Sequence, residues 1–252
     1  MYYNPLMQYG KLASLYDVLM QDVDREAWAA YVASFIPRGA SVIECACGTG
    51  EISLRLAKMG YDVTATDISD DMLLEAAEKQ RAAGLSRSKL RFVRMDMRAL
   101  TAHKKADCVI ACCDGVNYLT GRDDVKRFFA SARDVLKPGG LLLFDISSRY
   151  KLENVLGNNA FVDNGADTPY MWQNFYDGES KLIRMELSFF HRKGGLYERF
   201  DEVHIQRAHS VREIKSWLEE AGFECEAYGF LTREAPMAED ERIQFAARRK
   251  DV

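Results

Sequence analysis

Residues 44–50, Glu-Cys-Ala-Cys-Gly-Thr-Gly, place an acid and two glycines just behind the apolar run Ser41-Val42-Ile43. Gly48 and Gly50 let the backbone turn tightly and approach a ligand. The loop has no lysine or arginine, and Glu51 follows it directly. Asp67, Asp96 and Asp114 recur further along, each behind another short apolar run. Acids in this phase suit a ligand that carries positive charge and hydroxyl groups. They repel a phosphate. A dinucleotide fingerprint needs a third glycine where this chain has Ser53. No Gly-Lys-Ser/Thr follows the loop, which excludes a P-loop. The helix behind the loop offers its positive end to an anion, but Glu51 already fills that place.

S-adenosylmethionine has the matching chemistry: a sulfonium, an amino group, a carboxylate and a ribose. Asp67 is placed to accept from ribose hydroxyls. Asp96 is placed to accept from the adenine amino group, with Met97 as an apolar wall. Each acid has a plainer reading as a helix cap or turn residue. Their recurrence at one sheet edge favours the ligand.

Other residues have two readings each. Asn117 and Tyr118 face the expected cleft as substrate contacts, or belong to an ordinary helix-start loop. Trp172 is an aromatic wall for substrate or part of a local core. Glu202 and His204 are neighbours on one strand face, where an imidazole beside a carboxylate can take a proton; the alternative is a solvated face. Cys45, Cys47, Cys112 and Cys113 gather at neighbouring strand ends. Cys45 and Cys47 are expected to share a face and Cys112 and Cys113 to oppose, which disfavours a tetrahedral metal site, so no metal is assigned.

These residues must be positioned by a sheet. Two amphipathic helices open the chain, one through Leu12, Leu15, Tyr16 and Leu19, the other through Trp28, Tyr31, Val32 and Phe35. Strands at 41–45, 62–66, 90–95, 108–112 and 141–146 then alternate with helices at 51–59, 70–83 and 123–136. Short apolar runs between helices indicate βαβ units and a buried parallel sheet. After Tyr150 the pattern changes. Residues 170–176, 181–190 and 196–206 read as antiparallel strands, with Ile183, Met185, Leu187 and Phe189 on one apolar face. A helix at 211–221 and strands at 223–231 and 242–248 finish the chain. The division is therefore 1–150 for the helices and cofactor half, 151–208 for a substrate-binding lid insert, and 209–252 for the completion of the core.

A net charge of −4 over 252 residues, with no basic stripe, makes a broad nucleic-acid surface unexpected. The start of the chain lacks the basic and apolar regions of a signal peptide, and no run is long enough to span a membrane. The cysteines are then expected as reduced thiols in a cytoplasm.

The motif Glu44-x-Ala46-x-Gly48-x-Gly50, with Asp67-Ile68, Asp96-Met97 and Leu-Lys-Pro-Gly-Gly-Leu-Leu-Leu-Phe-Asp at 136–145, resembles class I S-adenosylmethionine-dependent methyltransferases. The stretches LASLYDVLMQDVDREAW, CDGVNYL, YMWQNFYD and YERFDEVHIQRAHS extend the resemblance to the small stand-alone bacterial methyltransferases of the YqeM-like group, over nearly the whole chain. The resemblance implies an α/β, Rossmann-like fold: a seven-stranded, mostly parallel sheet with helices on both faces, its last strand antiparallel. It implies cofactor contacts from Glu44 through Gly50, from Asp67-Ile68 and Asp96-Met97, and near Asp114. It implies that Tyr16 closes over the cofactor. The family commonly has glycine where this chain has Ala46, and a methyl there restricts the turn. The expected activity is methyl transfer to N or O of a small-molecule acceptor by a monomer or homodimer, with Tyr16 and His204 as candidate catalytic residues. Methylation of RNA or protein, or cofactor binding without catalysis, are the alternatives.

Overall fold

The computed structural model describes residues 23–165 and 167–250, together with Ala13, Tyr16, Asp17 and Met20. Of the first expected helix, Leu12, Leu15 and Leu19 lie outside the described residues.

Strands β1 (Ser41–Cys45), β2 (Asp62–Asp67), β3 (Leu90–Arg94), β4 (Ala106–Ala111), β5 (Leu136–Ser147), β10 (Phe223–Gly229) and β11 (Arg242–Arg249) form one sheet in the order β10-β11-β5-β4-β1-β2-β3. β1 pairs in parallel with β2 and β4, so the strand order reverses at β1. β11 runs antiparallel to both β5 and β10. Residues 42–45 and 108–111 are fully buried, because helices cover both faces and leave no room for polar alternation.

On one face, α4 (Arg122–Val135) and α5 (Val211–Glu220) pack Phe128, Phe129, Ile214, Trp217 and Leu218 against the sheet. On the other face, α1 (Arg25–Ala33) and α2 (Glu51–Lys58) bury Trp28, Val32, Leu54 and Leu56. α3 (Asp70–Ala82) buries Met72 and Ala76 and starts at Ser69, whose hydroxyl accepts the Met72 N–H. α5 begins in a reciprocal capping box between Ser210 and Glu213. Residues 137–140, between the expected helix and the expected strand, form a bulge inside β5. The register against β4 jumps from Ala106↔Leu136 to Cys108↔Leu141, and Gly139 takes φ +66°.

A second, antiparallel sheet follows β5. Its order is β6 (Ala160–Asp163), β7 (Tyr170–Asp177), β8 (Leu182–Lys193) and β9 (Leu196–Arg207). Sequence reading missed β6, which is four residues long and largely exposed, and the short π-helical segment Lys151–Leu156 before it. Cross-strand rows define the inner face: Trp172, Leu187 and Glu202; then Asn174, Met185 and His204; then Tyr176, Ile183 and Gln206. On β9 the polar side of the strand is the buried one. Glu202, His204 and Gln206 are buried, while Val203 and Ile205 face outward and are half-buried.

Removing the hydroxyl that caps α5 leaves the Glu213 N–H without its partner. Ser210→Ala is expected to lower unfolding stability by about 1 kcal/mol. In urea titration, the midpoint should fall while the slope stays that of the parent.

Candidate functional site

A cavity of about 530 Å³ lies beyond the carboxyl ends of β1, β2 and β3. It sits where the strand order reverses, the place at which open α/β sheets take ligands, and its size suits one small molecule. Tyr16, Glu44, Ala46, Gly48, Asp67, Ile68, Asp96, Met97 and Tyr118 all line it.

Glu44 ends β1 with its side chain buried and accepts a hydrogen bond from the Ser53 hydroxyl on α2. Burial raises its carboxyl to about pH 7; the Ser53 bond opposes that rise. Ser53 is therefore more than a missing third glycine, since it is the partner of the acid. Asp67 ends β2. One of its oxygens accepts the Gly48 N–H at 2.9 Å and the other accepts the Ser69 N–H at 2.9 Å. Burial moves its carboxyl up, against these backbone bonds. Each oxygen keeps a lone pair for a ligand hydroxyl.

The backbone of the loop is shaped for close approach. Tyr16 lies over Gly48, its ring within 3.9 Å of where a Cβ would stand. Gly50 plays a different part from the one expected. It does not line the cavity; φ is +76°, and a Cβ there would meet the Phe92 ring at 2.7 Å and Ala76 at 3.0 Å. It serves the packing of the loop on β3 and α3. Ala46 adopts φ +51°, in the left-handed region that an alanine resists. Its methyl lies 3.1 Å from the point a Cβ on Gly115 would occupy.

At the far end of the cavity, Ile68, Met72 and Met97 provide apolar surface beside Asp96. Asp96 is not the bare acceptor that its position promises. Its carboxylate takes the Arg98 N–H at 2.9 Å and the Arg98 guanidinium at 2.6 Å, and this pairing lowers its pKa. Arg98 also reaches Asp124 at 3.2 Å. An adenine amino group there must share the carboxylate with Arg98.

Asp114 departs further from expectation. It lies outside the cavity lining, with φ +54° directly after Cys113 at φ +60°. Its carboxylate points away, to Gln206 Nε2 at 2.8 Å and Arg242 at 3.0 Å. Its N–H donates to buried Asp145, which Arg242 also engages. The four strand-end acids thus share an edge but not a role, and the idea that they lack basic partners holds for neither Asp96 nor Asp114.

Asn117 is buried and also outside the lining. Its amide donates to the Ser147 and Arg207 carbonyls at 3.0 and 2.9 Å and accepts the Ser147 N–H at 2.9 Å, so it ties β5 to β9. Trp172 packs with Phe161 against the second sheet's own core, its indole N–H buried away from the cavity. Glu202 and His204 are buried rather than solvated, and neither lines the cavity. His204 meets the lining residue Tyr118, whose hydroxyl lies 3.1 Å from Nδ1. Burial lowers the imidazole to about pH 4, so it is neutral and a weak base at physiological pH. Burial and nearby acids push the Tyr16 phenol up, which keeps its proton in place.

Sequence reasoning missed Asp17. It lines the cavity next to Tyr16, accepts from the Thr49 hydroxyl at 2.7 Å and pairs with Lys79. Only the tertiary fold brings these residues together. The cysteine geometry also differs from expectation. The left-handed turn at Ala46 sends Cys45 and Cys47 into opposite cores, while Cys112 and Cys113 pack toward the same one. Burial pushes these thiols up, leaving neutral packing groups.

Comparison with known proteins follows this geometry. The methyltransferase-domain family matches residues 42–140. The chain is 37% identical to the YqeM protein of Bacillus subtilis (strain 168), over 96% of this chain and 98% of that one. The crystal structure of an S-adenosylmethionine-dependent methyltransferase from Clostridium acetobutylicum superposes with a TM-score of 0.87 at 32% identity, covering 96% of this chain and 99% of that one. A glycine/sarcosine N-methyltransferase from Halorhodospira halochloris is 30% identical over 59% of this chain and 52% of its own length.

Two outcomes follow from the loop. The native state holds the Glu44 proton to about pH 7, whereas the unfolded chain releases it near 4.5. Stability from this group is therefore present below pH 4.5 and lost as pH rises through 7. Urea unfolding at pH 5 and pH 8 should show the parent losing roughly 2–3 kcal/mol more than Glu44→Gln over that interval. Ala46→Gly relieves the left-handed turn but frees the unfolded chain. The balance is a gain of about 0.5–1 kcal/mol, read as a higher urea midpoint.

Proposed function

The chain belongs to the S-adenosylmethionine-dependent methyltransferases, and from that premise we propose that it methylates N or O of a small-molecule acceptor held in the cavity beside Tyr118. The observation that carries this reading is the Asp67–Gly48 hydrogen bond at the strand reversal. It fixes the loop and the ribose-binding acid as one unit, with Glu44 buried beside them.

The donor set fits the cofactor. Asp67 would hold the ribose hydroxyls and Glu44 the amino end. Ile68 and Met97 would flank the adenine, near the Asp96–Arg98 pair. Tyr16 over Gly48 would cover the site and keep water out. The cofactor supplies a methyl group already activated on a sulfonium. The protein's task is then orientation, which can contribute roughly 7–11 kcal/mol to such a displacement.

Tyr118 is the residue that faces both the cavity and the second sheet. Its hydroxyl, steered by His204, is placed to hydrogen-bond the acceptor's attacking atom. Nitrogen is the favoured atom. A neutral amine needs no strong base, and His204 is too weakly basic to ionise a hydroxyl. The glycine/sarcosine N-methyltransferase relative supports the same choice. The net charge of −4 argues against an RNA acceptor. Among the described residues, no helix is long and apolar enough to cross a membrane.

Calorimetric titration with S-adenosylmethionine tests the reading. Binding is expected for the parent. Asp67→Ala removes a charged acceptor of hydrogen bonds, worth roughly 1.5–3 kcal/mol per bond, and should weaken binding at least about tenfold. A parent that fails to bind at millimolar cofactor refutes the assignment.

A further inference from the structure

Cys113 and Asp114 are consecutive residues with left-handed backbone, at φ +60° and +54°. Neither is glycine, and such conformations persist only where the surroundings hold them. Cys113 packs on the core and the Asp114 N–H donates to Asp145, but further contacts come from far along the chain. Gln206 on β9 donates to the Asp114 carboxylate at 2.8 Å, from 92 residues away. Arg242 on β11 grips the same carboxylate from the other side. One turn later, His204 meets the Tyr118 hydroxyl at 3.1 Å, and the Arg207 carbonyl accepts from Asn117. Three successive contacts from β9 therefore fasten the segment 114–118. Cys113, Gly115 and Tyr118 of that neighbourhood form a wall of the cavity.

We infer that Gln206 and His204 are positioning residues for the cofactor pocket: the second sheet, through Asp114 and Tyr118, sets the shape of the wall against which S-adenosylmethionine binds. The inference rests on the cofactor assignment above. It makes the second sheet part of the cofactor site without touching the cofactor. It also makes the two compartments energetically coupled. Whatever tightens β9 onto the 114–118 segment tightens the cofactor, and the cofactor tightens β9 by the same factor. An acceptor that engages Tyr118 in the cavity would then raise cofactor affinity, and the reverse.

The experiment uses the whole chain and S-adenosylhomocysteine, the demethylated product, as probe. Gln206→Met keeps the side chain's length and removes its donor. His204→Phe keeps a ring and removes Nδ1. Each should weaken binding roughly tenfold, within the usual range of coupling between sites. Ile205→Thr, on the outward side of the same strand, should leave binding unchanged while lowering thermal stability, which separates positioning from general loosening of the sheet. Amide hydrogen exchange on the parent gives a second reading that needs no variant. Adding the probe should slow exchange at residues 203–208 as well as at the cavity. If both variants bind within twofold of the parent, or protection stays confined to the cavity loops, the inference is wrong. If the parent itself does not bind, it is the cofactor assignment that has failed.

Discussion

A carboxylate loses most of its hydration when it enters a protein interior, and hydrogen bonds or a cation must offset that loss. The acids at the carboxyl edge of this sheet meet the demand in different ways. Glu44 has the Ser53 hydroxyl and a raised pKa, so it keeps its proton through mildly acidic conditions. Asp67 has two backbone N–H groups. Asp114 and Asp145 share the Arg242 guanidinium. The choice of partner decides which acid serves the cavity. Acids held by neutral donors stay turned toward it with acceptor capacity left over, while those held across Arg242 are withdrawn into the scaffold. Asp96, paired with Arg98, still lines the cavity, so the position of the partner rather than its charge separates the roles.

Most of the architecture was legible because it rests on local pattern. The run Ser41–Cys45 and the helix at Glu51 follow from apolar clustering and amphipathic spacing, and the structure places them within a residue or so. The pocket lining by Glu44, Asp67 and Met97 was legible for the same reason, since strand ends can be read from the strands, while Tyr16 was indicated only by the family resemblance. Asp114 and Asn117 were misjudged because their partners, Gln206 and Arg207, lie about ninety positions later. No local signal reports such a pairing. The inner face of β9 misled in another way. Its alternation was right, but the face was weighed only as a proton-accepting pair or a solvated surface, whereas Glu202, His204 and Gln206 turn inward and are buried.

Strain and smallness are matched in the cavity wall. Ala46 sits in a left-handed turn, and Gly115 opposite has no side chain for its methyl to strike. Either residue enlarged would collide with the other. Ala46, Cys113 and Asp114 thus carry left-handed backbone beside the ligand site, and contacts from elsewhere in the fold help to hold it.

β11, the last strand in the chain, lies inside the main sheet rather than at its rim, with β5 on one side and β10 on the other. Its first residue, Arg242, is the cation that neutralises Asp114 and Asp145. During synthesis the sheet therefore stays open along β5 until β11 has emerged from the ribosome. The long-range pairing that closes it is the kind that slows folding. Until then the β11-facing edge of β5 presents unpaired backbone N–H and C=O groups, the kind of edge that invites wrong pairing.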